Sequence, residues 1–81
     1  MPISDTDFEI PAPVVEAIEE GTAAVRAFRE SSGQSQHDVA ADAGMTEVRL
    51  AAIEQGTAPH GLELAVLSDV LAVPIEILVA E

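Results

Sequence analysis

The sequence predicts an all-α protein of five to six short helices, and three observations carry that expectation. Apolar side chains recur at three- and four-residue intervals in successive short windows, the spacing that gathers them on one face of a helix. Each window is closed by Gly21, Gly33, Gly44 or Gly56, or opened by Pro13, Ser35, Thr46 or Pro74, residues that stop and start helices. With 81 residues, no cysteine and only Phe8 and Phe28 as aromatics, the interior must be aliphatic packing without a disulfide or thiolate-metal staple. A chain this short makes one domain, and self-association would help to stabilise it.

Residues 1–11 have no helical period, carry Pro2 and Pro11, and are expected to form a flexible acidic arm ahead of a single domain over residues 12–81. Pro13 suits the first helical position, and Val14, Val15 and Ile18 make an apolar stripe that Gly21 ends. Thr22 is the expected cap of the second helix, in which Val25 and Phe28 share a face before Gly33. Ser35 and Asp38 form an S-x-x-D box at the start of the third, which buries Val39, Ala40 and Ala43. Gly44 can take the left-handed conformation of a sharp helix-to-helix turn, with Met45 filling the corner. Thr46 caps the fourth helix: Leu50 and Ile53 face inward, Glu47, Val48, Arg49 and Ala52 point elsewhere, and Gly56 stops it. Residues 57–61 read as a loop. Leu62 to Val73 follows as a helix carrying Leu64, Leu67, Val70 and Leu71, and Pro74 starts a final turn with Ile75, Leu78 and Val79.

The two helices hinged at Ala43-Gly44-Met45 have the layout of a helix-turn-helix, over about residues 36–55. The pattern R-x-F-R-E-x-x-G-x-S-Q-x-x-V-A-x-x-A-G-M-T-x-x-x-L-x-x-I-E-x-G, from Arg26 to Gly56, resembles the lambda-repressor and Cro type of helix-turn-helix, the XRE family. With L-A-V-P-I-E-I-L from Leu71 the resemblance covers about 55 residues. The preceding I-P-A-P-V-V-E-A-I-E-E-G, Ile10 to Gly21, is similar to the extra N-terminal helix of XRE antitoxins encoded beside RelE- or ParE-type toxins.

The resemblance implies roles at matching positions. Gln36 stands where a glutamine bonds a DNA phosphate, and Thr46, Glu47, Val48 and Arg49 match the start of the recognition helix that meets base edges in the major groove. Arg49 suits a guanine or phosphate, Thr46 a phosphate, Val48 a thymine methyl, and Glu47 a cytosine amino group. Arg29 and Glu54 match an internal ion pair, which would withdraw Arg29 from DNA. Two departures stand out: Thr57-Ala58-Pro59-His60 replaces the Lys or Arg usual after I-E-x-G, and Ala72 replaces the glycine usual before V-P.

Charge complicates the DNA reading. The formal net charge is -12, with no lysine and three arginines. Residues 1–22 hold six carboxylates and no basic residue, residues 61–81 hold Glu63, Asp69, Glu76 and Glu81, and all three arginines lie between residues 23 and 60 among five carboxylates. Non-specific DNA affinity grows with the number of phosphates that cations neutralise, and few are offered here. The acidic arm is most simply solvating; through Asp5, Asp7, Phe8 and Glu9 it would also suit capture of a basic toxin, with Phe8 as an apolar anchor. A salt-adapted host would account for acidity as well.

No nucleophile-base set or phosphate-cradling glycine loop is present, so an enzyme is not expected, and neither is a cofactor. His37 with Asp38 and Asp42 reads as a solvated helix face, not a metal site. Apolar runs fall well short of the roughly 20 residues of a membrane span, and no charged n-region followed by an apolar stretch opens the chain, so the cytoplasm is the expected location. The sequence thus points to a homodimeric operator-binding regulator of double-stranded DNA, the antitoxin and autorepressor of a toxin-antitoxin pair. The alternative is a protein-interaction module that kept the fold and lost DNA binding, an acidic decoy or partner-binding protein.

Overall fold

The computed structural model describes residues 9–79, and among them the chain forms six helices and no strand. These are α1 (Ala12–Glu19), α2 (Ala24–Ser31), α3 (Gln36–Ala43), α4 (Glu47–Glu54), α5 (Gly61–Leu71) and α6 (Ile75–Leu78). Helices this short are marginal alone in water, so their stability comes from the apolar face each presents to the others.

One core serves all six. Val14, Val25, Ala27, Phe28, Val39, Ala40, Leu50, Ile53, Leu67, Leu71, Val73 and Leu78 are buried together, with Ala43, Met45, Leu64, Val70 and Ile77 packed against them. Leu50 and Leu67 are fully enclosed, a burial worth about 1.5–3 kcal/mol for each side chain. Helix α2 is the hub, packing on α1, α4, α5 and α6, while α3 packs on α4 and α5. Small Ala40 lets α3 lie close to its neighbours.

Helix ends follow one repeated device. After α1, α2, α3, α4 and α5 an amide reaches back five residues to close the last turn: Thr22 to Ala17, Gln34 to Arg29, Met45 to Ala40, Thr57 to Ala52 and Val73 to Ser68. This closure needs a left-handed residue just before the donor. Four times that residue is glycine, Gly44 at φ 73° among them; the fifth is Ala72, at φ 59°. A side chain there strains the backbone, by roughly 1–2 kcal/mol. The presence of Ala72 in place of the usual glycine therefore has a stability consequence.

Some expectations need correction. Thr22 does not cap α2: the cap position is Ala23, without a side-chain bond, because Thr22 closes the end of α1 instead. Val15 and Ile18 are exposed; α1 packs chiefly on α2, so only the narrow stripe of Val14 and Ala17 is covered. Ala43 is only partly buried. Helix α5 starts at Gly61 and leaves Leu62 outside, and the final turn buries Leu78 while Ile75 and Val79 stay exposed. Pro13 sits one residue inside α1, which begins at Ala12.

Candidate nucleic-acid interface

The interface is built where α3 meets α4. The Ser35 hydroxyl accepts the Asp38 N–H at 3.0 Å, and the Thr46 hydroxyl accepts the Arg49 N–H at 3.0 Å, so each helix of the pair starts on a capped turn. Gly44 swings the chain between them. Leu50 and Ile53 anchor α4 from beneath, which turns its first residues outward. Thr46, Glu47 and Val48 are all exposed there, Val48 at 80%. The Thr46 O–H remains a free donor, since the cap uses only an oxygen lone pair.

Beneath this surface lies an ion pair. Arg29 directs Nε and Nη2 at the two Glu54 carboxylate oxygens, at 2.7 and 3.1 Å, and Nη1 donates to the Gln34 carbonyl at 3.0 Å. Gln36 Nε2 donates to the same carboxylate at 3.0 Å. The Glu54 hydrogen bond, outweighing partial burial, raises the Arg29 guanidinium further above its ordinary range. Gln36 is thereby fixed at the start of α3 with a second amide hydrogen unused.

Arg49 does not project beside Val48. Its Nε and Nη2 reach both carboxylate oxygens of Glu63 at 2.7 and 2.8 Å, across to the first turn of α5. Glu63 also accepts the His60 N–H at 2.8 Å. Together the Arg49 fork and that N–H pull the Glu63 carboxyl down to about 2. Glu47 in turn meets His37 Nδ1 at 2.7 Å, which raises the His37 pKa. Arg26 bonds Glu30 at 2.9 Å on the outer face of α2. Every guanidinium of the chain is thus engaged by a carboxylate of the chain; the Arg29–Glu54 pair is the one the resemblance implied, whereas the engagement of Arg26 and Arg49 was not anticipated. Available cues were the i,i+4 spacing of Arg26 and Glu30 and the capping-box spacing of His60 and Glu63.

A family model described as a helix-turn-helix domain matches residues 22–80. The chain belongs to this helix-turn-helix family. Membership suggests a DNA-binding regulator, and such domains are typically binding modules rather than enzymes. No curated protein and no solved structure matches the chain. Among the described residues of this helix-turn-helix protein no helix is long and apolar enough to cross a membrane. No group of three His, Cys, Asp or Glu side chains there could hold a metal ion. Of the four acidic-arm residues, Asp5, Asp7 and Phe8 lie outside the described residues; Glu9 is exposed.

Proposed function

We propose that this protein is a small transcriptional regulator that binds operator DNA as a homodimer, and that it is the antitoxin and autorepressor of a toxin-antitoxin pair. The observation that carries the DNA reading is the exposed start of α4. Val48 stands 80% exposed there, beside the exposed Thr46 and Glu47. An apolar side chain at the mouth of a recognition helix suits a thymine methyl, and Glu47 can accept from a cytosine amino group. Gln36, with its unused amide hydrogen, and the Thr46 hydroxyl would bond phosphates in this reading. The antitoxin part rests on the similarity of residues 10–21 to the extra helix of XRE antitoxins and on the acidic run before it, which complements a basic RNA-binding cleft.

Titration of the duplex upstream of the coding sequence at low salt tests this reading, alone and with the product of the adjacent gene. Retarded DNA in either case supports it, and no complex in both sinks it.

One observation favours a second reading, that of a partner-binding module without DNA affinity. All three guanidinium groups are engaged by carboxylates in a chain of formal charge -12. Deleting residues 1–11 separates the two. Loss of partner binding with DNA affinity kept or raised fits the antitoxin; absence of DNA affinity with and without the arm fits the module.

A further inference from the structure

We propose that Glu63 is a specificity-determining residue of the DNA interface: it withholds Arg49 from DNA, so that the recognition helix reads through Thr46, Glu47 and Val48 and not through a cation. This rests on the DNA-binding reading above.

The geometry separates this pair from an ordinary surface contact. Arg26 and Glu30 share one close contact on the exposed face of a single helix, an arrangement that exchanges readily with a phosphate. Arg49 and Glu63 instead form a two-pronged fork between α4 and α5, with side chains 29% and 18% exposed. Glu63 is itself anchored, because it accepts the His60 N–H and sits in the first turn of α5, where the helix dipole favours a carboxylate. The carboxylate therefore stays in place, and it is Arg49 that would have to leave. Leaving would expose an unpaired carboxylate beside a polyanion, which cancels the gain from a new phosphate contact. The bidentate arginine-guanine contact, the commonest specific one in the major groove, is thereby denied to this helix. Base preference falls to Val48 and Glu47.

Fluorescence anisotropy with the upstream duplex and a scrambled duplex of equal length tests the proposal over a range of salt. Glu63→Gln keeps an acceptor for the His60 N–H, so the start of α5 survives while the charge that holds Arg49 is lost. It should bind both duplexes about tenfold more tightly, with a log-log salt slope steeper by about one unit, as expected for one added phosphate contact. Glu76→Gln removes the same charge at an exposed position and should leave the slope unchanged. Arg49→Gln bares the Glu63 carboxylate and should bind several-fold more weakly with an unchanged salt slope, whereas the double variant, which removes both charges, should return to within about twofold of wild type. The opposite pattern, a loss of about tenfold in the double variant without any gain in Glu63→Gln, overturns the proposal and makes Glu63 a buttress for a DNA-contacting arginine. If Glu63→Gln fails to fold, as judged by circular dichroism, the salt slope of Arg49→Gln decides alone: an unchanged slope supports the proposal, and a slope shallower by about one unit, a lost phosphate contact, overturns it. Absence of binding by every variant to either duplex at low salt overturns the DNA reading itself.

Discussion

Arg29–Glu54 and Arg49–Glu63 are the same fork at two depths. In both, Nε lies 2.7 Å from one carboxylate oxygen and Nη2 reaches the other. The first joins α2 to α4 with side chains only 11% and 2% exposed, and Gln34 and Gln36 complete its hydrogen bonding. The second joins α4 to α5 near the surface. Removing one partner of the first leaves a charge cut off from water, whereas water can reach and screen the survivor of the second. Depth, not chemistry, separates the pair that holds the fold from the one that, in the proposed reading, governs what the surface would offer to DNA.

The sharpest way to break this contrast is Glu54→Gln. It should destabilise the domain by about 3 kcal/mol, because Arg29 loses its close fork and keeps only the more distant, half-exposed Glu30 carboxylate at 3.8 Å. Urea denaturation measures this, and a loss below about 1 kcal/mol would place the two pairs in one class. A backbone change that touches neither pair sets the scale. Ala72→Gly relieves the left-handed strain at φ 59° and should stabilise by about 0.5–1 kcal/mol, after the entropy that glycine adds to the unfolded chain.

Acid titration addresses the surface pair. The Glu63 carboxyl, held down to about 2 from the ordinary 4.5, contributes stability that is present above pH 4.5 and is lost as pH falls toward 2. An NMR titration should show its midpoint moving back up in Arg49→Gln. The smallest effect is expected at His37. Its pKa is raised, chiefly by the hydrogen bond to Glu47, so its stabilising contact is complete below the unfolded value of 6.5 and is lost as pH rises through the raised one. DNA affinity should fall over the same interval as a positive charge leaves the interface, and His37→Gln should flatten that profile.

The fold was legible because its signals are local. Ser35, Thr46 and the four left-handed glycines act within a turn of their own position, and the spacing of Leu50, Ile53 and Leu67 marks core faces directly. Where an outcome depended on neighbours, the sequence reading fell short. Val15 and Ile18 satisfy helical spacing but, among the described residues, no second helix covers them. Thr22 could serve either helix, and the closure of α1 claimed it. The position of Arg49 was legible but not its engagement, since that depends on how α5 packs and brings Glu63 within reach from 14 residues away.

The salt dependence of DNA binding by the wild-type protein tests the central claim most directly. A recognition surface whose arginines are all engaged internally should bind the upstream duplex in preference to the scrambled one, with a shallow log-log slope of about -2 or less in magnitude for a dimer. A steep slope of about -5 or beyond would show that the arginines leave their carboxylates for phosphates and would contradict the account.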